Sequence, residues 1–252
     1  MLAFISAIIA IFSTLVGSFS GGGASMMMFP LLLMFVESSY LPALVLSKIA
    51  ATAMTMSAAR IHVGRHLVNW RFFLVLLVAG FLGMGLGTYL VQYQLNEVLF
   101  KGILGMLLLG TSGYLLFSRS GLGLHAGHER GFGFWVMVLG ALAAFVINVL
   151  NGMFGGTGVF LTLYLVLFMR MTFIHSMIYV MPTFALISFI QTIYLMGTVS
   201  FDWKIGIVMG IAGLSGGFLG TRLQYLKGNM WVKRASVLVM LLIGGKVLIG
   251  LI

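Results

Sequence analysis

Apolar runs of about twenty residues recur from one end of this chain to the other, at 41–59, 72–92, 98–117, 132–150, 172–196, 203–226 and 231–252. Laid out as a helix, a run of that length spans the roughly 30 Å hydrocarbon core of a bilayer. Inside that core every backbone amide must find a partner, which leaves helices or a closed barrel. A barrel would alternate apolar and polar residues, and these runs do not. The chain is 61% hydrophobic and 7% charged, a composition that water would not solvate as a globule. The expectation is an all-α polytopic membrane protein.

Two places break the pattern in the same way. Gly17-Ser-Phe-Ser-Gly-Gly-Gly-Ala-Ser25 follows the apolar stretch 2–17 and precedes a short apolar run ending at Val36. Asn151-Gly-Met-Phe-Gly-Gly-Thr-Gly-Val159 follows 132–150 and precedes another short run ending at Met169. The first short run, 24–36, rises only about 20 Å as a helix, well below the bilayer core. Short, glycine-interrupted segments at matching places in two halves of a membrane protein point to a transport site.

The halves match beyond these breaks. At an offset of 135, Gly17, Gly21 and Gly23 fall on Gly152, Gly156 and Gly158. At 133, Gly64, Trp70, Gly80, Gly83, Gly87, Thr88 and Asn96 fall on Gly197, Trp203, Gly213, Gly216, Gly220, Thr221 and Asn229. Ten matches at nearly one offset indicate an internal duplication: a first repeat at 1–117, a linker at 118–131 and a second repeat at 132–252. Basic short loops stay in the cytoplasm. Arg60, Arg65 and Arg71 lie in the loop after 41–59, whereas its counterpart 197–204 has only Asp202 and Lys204. The reverse holds later: Arg222, Lys227, Lys233 and Arg234 face a counterpart with only Glu97 and Lys101. Equivalent loops thus fall on opposite sides, and the repeats are expected to be inverted, about five segments each. That gives eight long spans or long helices plus two short helices after the breaks, with both termini external and the linker cytoplasmic. The short helices could cross fully or re-enter. The apolar N-terminus, without a basic flank, reads as a retained first helix rather than a cleaved signal.

Helices starting at Ala24 and near Val159 would point two positive dipole ends inward, each acting as about half a charge. The backbone amides of Gly21, Gly22, Gly23, Gly155, Gly156 and Gly158 become candidate donors, joined by the side chains of Ser20, Ser25, Asn151 and Thr157. Such a pair suits a small anion. Lys48 lies seven residues inside the run 41–59, where a charge costs about 2.5–3.5 kcal/mol on insertion scales. It either lines the site as electrostatic attractor or snorkels to the outer interface. Thr183 and Gln191, inside 172–196, are further lining candidates. The glycines at 80, 83, 87 and at 213, 216, 220 sit at helical spacing inside full spans and read as close helix contacts. All four acidic residues, Glu37, Glu97, Glu129 and Asp202, fall in loops or at span ends, which argues against carboxylate-based proton coupling and for facilitated movement or exchange.

Other chemistries fare less well. There is no cysteine, hence no disulfide or thiolate chemistry, and no cofactor is expected. The net charge of +10 is explained by the basic loops, so no nucleic-acid partner is implied. His62 and His66 are four apart but lack a nearby acidic or thiol ligand, so no metal site is expected. Gly213-Leu-Ser215-Gly216 matches a short intramembrane serine-protease pattern, yet no histidine base lies on the following span. An intramembrane hydrolase using Ser215 and a non-transporting partner subunit stand as the alternatives.

The segment Gly21-Gly-Gly-Ala-Ser-Met-Met-Met-Phe-Pro30-Leu-Leu resembles the glycine-triplet-to-proline motif of the TauE/SafE sulfite exporter family. Gly155-Gly-Thr-Gly158 is similar to a degenerate second copy, with Thr157 among the glycines and Leu165 where the first copy has its proline. The pairs Asn69-Trp70 and Asp202-Trp203 before later spans also fit. This resemblance covers essentially the whole chain. It implies a bacterial inner-membrane permease for sulfur-containing anions such as sulfite, thiosulfate or sulfoacetate-like organosulfonates.

Overall fold

The structure, a computed structural model, describes residues 2–37, 39–64, 68–93, 109, 113 and 133–249. Among these residues the regular elements are nine helices: α1 (Leu2–Ser20), α2 (Ala24–Phe35), α3 (Tyr40–Val63), α4 (Trp70–Tyr93), α5 (Phe134–Phe154), α6 (Gly158–Phe168), α7 (Phe173–Thr198), α8 (Trp203–Lys227) and α9 (Asn229–Ile249). Six of them, α1, α3, α4, α5, α7 and α8, are long and apolar enough to cross a membrane, and α2 and α6 are short apolar helices. Among the described residues the expected helices are what form, with a short helix after each glycine break. The linker 118–131 and all but two positions of the run 98–117 lie outside the described residues.

Helix ends differ from the sequence expectation in an instructive way. α1 continues through Gly17 to Ser20, and α5 continues through Asn151 and Gly152 to Phe154. A helical glycine costs about 0.5–1 kcal/mol relative to alanine. Here close packing offsets it: a Cβ at Gly17 would fall 2.5 Å from that of Ala24, and one at Gly152 would fall 2.6 Å from the carbonyl of Met84. The true breaks shrink to 21–23 and 155–157. α3 also runs on to Val63, placing Arg60 and His62 in its last turn, where cations suit the helix dipole.

Lipid tails are as apolar as leucine, so helices in a bilayer associate through close contact rather than water exclusion. The glycine faces supply that contact. Cβ atoms at Gly83 and Gly87 of α4 would strike the carbonyls of Phe145 and Val149 on α5. At Gly216 and Gly220 of α8 they would strike those of Ile11 and Leu15 on α1. One parallel interface is therefore built twice, at matching registers. Gly213 and Gly217 seat α8 on the Ala50 and Met54 carbonyls of α3, again in parallel. α4 runs parallel to α7, with Asn69 near Tyr179, Gly80 near Ile187 and Thr88 bonded to Gln191.

The short helices fold back rather than carry on. Ala24 sits beside Gly17, and Ile9 and Ala10 share a core cluster with Met28, Phe29 and Leu32, so α2 returns along α1. α6 starts beside the last turns of α5, where Thr157 Oγ1 donates to the Ile147 carbonyl (3.0 Å), and Leu161 and Leu165 cluster with Ala144. Between the two options the sequence left open, the geometry is a hairpin in each case.

Candidate functional site

The tips of the two hairpins touch. Gly21, Gly22 and Gly23 have φ of +91°, +120° and +96°, and Gly155 and Gly156 have +74° and +73°. At two positions only glycine is compatible. A Cβ on Gly22 would lie 2.8 Å from the Val159 amide nitrogen, and one on Gly156 would lie 2.7 Å from that of Met26. Each break is thus stacked on the first turn of the other short helix. Neither helix start is capped by a side chain, so the positive ends of α2 and α6 converge without a built-in anion.

The hydroxyls around the breaks divide into two groups. Ser20 Oγ donates to the carbonyls of Gly22 (3.1 Å) and Gly17 (3.3 Å). Thr162 Oγ1 donates to the Gly21 carbonyl (3.0 Å), and Ser236 Oγ to that of Ser20 (2.6 Å). With Thr157 on Ile147, these groups hold the breaks in shape. By contrast, Ser25 Oγ and Asn151 Nδ2 are buried with no hydrogen-bond partner. An unsatisfied buried polar group costs about 1–3 kcal/mol, and both of these donors belong to residues that border one cavity.

Lys48 reaches the same point from α3. It is 1% exposed, and its Nζ donates to the Asn151 carbonyl (2.7 Å) and to Gln191 Oε1 (2.6 Å). Gln191 is held in turn: Nε2 donates to Thr88 Oγ1 (2.9 Å) and the Gly152 carbonyl (3.0 Å). The ammonium points inward and does not snorkel. Among the described residues no carboxylate pairs with it. A buried ion without a countercharge carries a penalty of several kcal/mol, which a bound anion would relieve.

These groups enclose a cavity of about 20 Å3, close to one water's worth of space, walled by Gly22, Gly23, Ser25, Gly156 and Gly158 from the breaks, and by Lys48 and Asn151. Gly21, Gly155, Ser20 and Thr157 stand behind that wall. Gln191 is reached only through Lys48, and Thr183 is buried with an unpartnered hydroxyl but does not face the cavity. Sequence reasoning missed Ser188 and Phe184, which line it from α7. The signal was present: the offset of 133 carries Lys48, Ala51 and Thr55 onto Met181, Phe184 and Ser188, and all six face the cavity.

The competing chemistries fall elsewhere. Ser215 is exposed on the outer face of α8, its hydroxyl donating to the Ile211 carbonyl (3.0 Å). That placement does not favour a hydrolase. His62 Nδ1 lies 2.9 Å from the Tyr225 hydroxyl, and His66 is outside the described residues. Among the described residues no three His, Cys, Asp or Glu side chains gather.

Comparison with known proteins places these features in context. Residues 6–247 match the family model described as "Sulfite exporter TauE/SafE". A Haemophilus influenzae protein described as "Probable membrane transporter protein" is 28% identical over 231 residues, covering 89% of this chain and 86% of that relative. No solved structure matches significantly.

Proposed function

From the premise that this chain belongs to the TauE/SafE sulfite exporter family, we propose that it moves a small anion, a sulfur oxyanion or organosulfonate, across the bacterial inner membrane, holding it where the two glycine breaks meet. The observation that carries this reading is Lys48, a buried cation with no carboxylate partner among the described residues, set at the junction of two uncapped helix N-termini. Ser25 Oγ and Asn151 Nδ2 supply neutral donors beside it. Each helix end contributes typically 0.3–1 kcal/mol to a bound anion, and up to ~2 when partly buried. Family membership indicates a transporter, and the site holds donors and a cation but no activated nucleophile.

The path follows from inverted repeats, which the packing supports. α1, α3 and α8 run one way; α4, α5 and α7 run the other, because six residues between α3 and α4, and four between α7 and α8, are too few for anything but reversal. The repeated glycine interfaces pair α4 with α5 just as they pair α8 with α1. Lys48 fastens α3 to α5 through the Asn151 carbonyl, and to α7 through Gln191. An anion that draws Lys48 from these acceptors loosens the tie between halves, which is the coupling alternating access requires. At about 20 Å3 the cavity is too small for a four- or five-atom anion, which would enter when α3 and α7 part.

A thermal-shift screen of purified protein with sulfite, sulfate, thiosulfate, sulfoacetate and chloride tests the proposal. A ligand at a hundred times its dissociation constant stabilises by about 2.7 kcal/mol. We expect that shift from at least one sulfur oxyanion or sulfonate and little from chloride. Equal response to every anion, or to none, contradicts it.

A further inference from the structure

Beside the seam where Gly217 meets Met54 and Ser57 and His62 meets Tyr225, the last turns of α3 and α8 leave a groove of about 740 Å3. Its α3 wall is not the cavity wall. Ser57 lies nine residues beyond Lys48, two and a half turns on, and so faces the opposite side of the helix. The sides are apolar and outward: Met56 is 38%, Leu214 48% and Phe218 40% exposed. Arg60 and Arg222 stand in the same groove, both exposed. The Arg222 guanidinium lies over the Phe218 ring, 4.2 Å from its centroid. Among the described residues neither arginine has an acidic partner.

The other half of the chain supplies an internal control. The offset of 133 carries Phe81, Gly85, Tyr89, Ile190 and Tyr194 onto Leu214, Phe218, Arg222 and, in the reverse sense, Ser57 and Ile61. The first set lines a smaller groove of about 230 Å3 between α4 and α7. Where the α3/α8 groove has Arg222 and Arg60, this one has Tyr89, and the position matching Arg60 is Ile193. Packing of the repeat therefore does not require the two cations.

We propose that the α3/α8 groove binds an anionic phospholipid, its phosphate between Arg60 and Arg222 and an acyl chain along Met56, Leu214 and Phe218. Guanidinium groups match phosphate oxygens in bidentate geometry, and basic clefts between spans at the cytoplasmic face are suited to anionic headgroups. The apolar walls, on helices long enough to span a bilayer, favour a lipid over free phosphate. A second copy of this chain is a poor occupant, because four acidic residues against fourteen lysines and arginines offer little countercharge.

The test uses full-length protein, delipidated in neutral detergent. Native mass spectrometry and thermal melting are followed with phosphatidylglycerol, with phosphatidylcholine of the same chains, and with inorganic phosphate. Wild type should retain phosphatidylglycerol over phosphatidylcholine by roughly thirtyfold, as expected for two arginines near a headgroup, and phosphate alone should not shift the melt. Arg60→Gln/Arg222→Gln should erase the preference, Arg60→Lys/Arg222→Lys should keep most of it, and Tyr89→Phe in the matching groove should leave it unchanged. Should the glutamine pair fold poorly, Arg222→Gln alone should lower the preference several-fold. Equal retention of both lipids by wild type, an unchanged preference in the glutamine variants, or a melt shift reproduced by phosphate or tracking self-association would overturn the proposal.

Discussion

At the scale of single residues, Lys48 and two glycines at the junction are the most exacting positions. Replacing Lys48 by methionine removes a buried charge, which relieves several kcal/mol of desolvation. It also strands the Asn151 carbonyl and Gln191 Oε1, at about 1–3 kcal/mol each. These offset, so the melting temperature of ligand-free Lys48→Met should change by only a few degrees, while stabilisation by sulfur oxyanions disappears. A variant that unfolds outright would instead mark Lys48 as structural. Gly22 and Gly156 carry a different burden, since both combine a left-handed φ with a neighbouring backbone under 3 Å from any added Cβ. Gly22→Ala and Gly156→Ala should each destabilise by at least about 2 kcal/mol and abolish transport. Gly197, with nothing within 4 Å of an added Cβ, is the control: Gly197→Ala should be neutral or stabilise by about 0.5–1 kcal/mol. Denaturation midpoints of the three variants, side by side, decide this.

At the scale of elements, the interface of α4 with α5 and that of α8 with α1 are the same construction used twice. Gly87→Ala and Gly220→Ala should therefore destabilise by similar amounts, whereas Gly85→Ala, on an open face of α4, should not. Unequal losses for the first pair, measured by melting or by denaturant, would break that equivalence. The stripes at 80, 83, 87 and 213, 216, 220 were legible because helical spacing of small residues has one common use in a bilayer. The breaks were legible because three glycines before a clipped apolar run leave few alternatives. Their extent was not: Gly17 and Gly152 stay helical through contacts with Ala24 and Met84 that lie outside any local pattern. Nor could spacing tell which hydroxyls stay unpartnered. Ser20 turns to the Gly22 carbonyl within its break and Thr157 back to the Ile147 carbonyl of α5, while Ser25 stays unpartnered, because the positive-φ glycines between them interrupt the helical rule for side-chain direction. Ser188 needed Lys48, Ala51 and Thr55 as a template from the other repeat before its face could be assigned.

At the scale of the whole molecule, two hairpins meet tip to tip, and the proposal that they enter from opposite sides of the membrane is testable without a ligand. The chain has no cysteine, so each introduced thiol reports one place. Glu37→Cys, between α2 and α3, and Val199→Cys, after α7, should react with a membrane-impermeant maleimide in intact cells. Gly64→Cys and Gly228→Cys, at the ends of α3 and α8, should react only after permeabilisation. Labelling of all four from one side would remove the inversion and with it the opposed tips. Above orientation stands the claim that the junction holds a negative guest through Lys48. Isothermal titration of sulfite into purified wild type and Lys48→Met tests that most directly. Saturable one-site binding to wild type and at least a hundredfold loss in the variant are expected; equal affinity in the two proteins would contradict that role for Lys48.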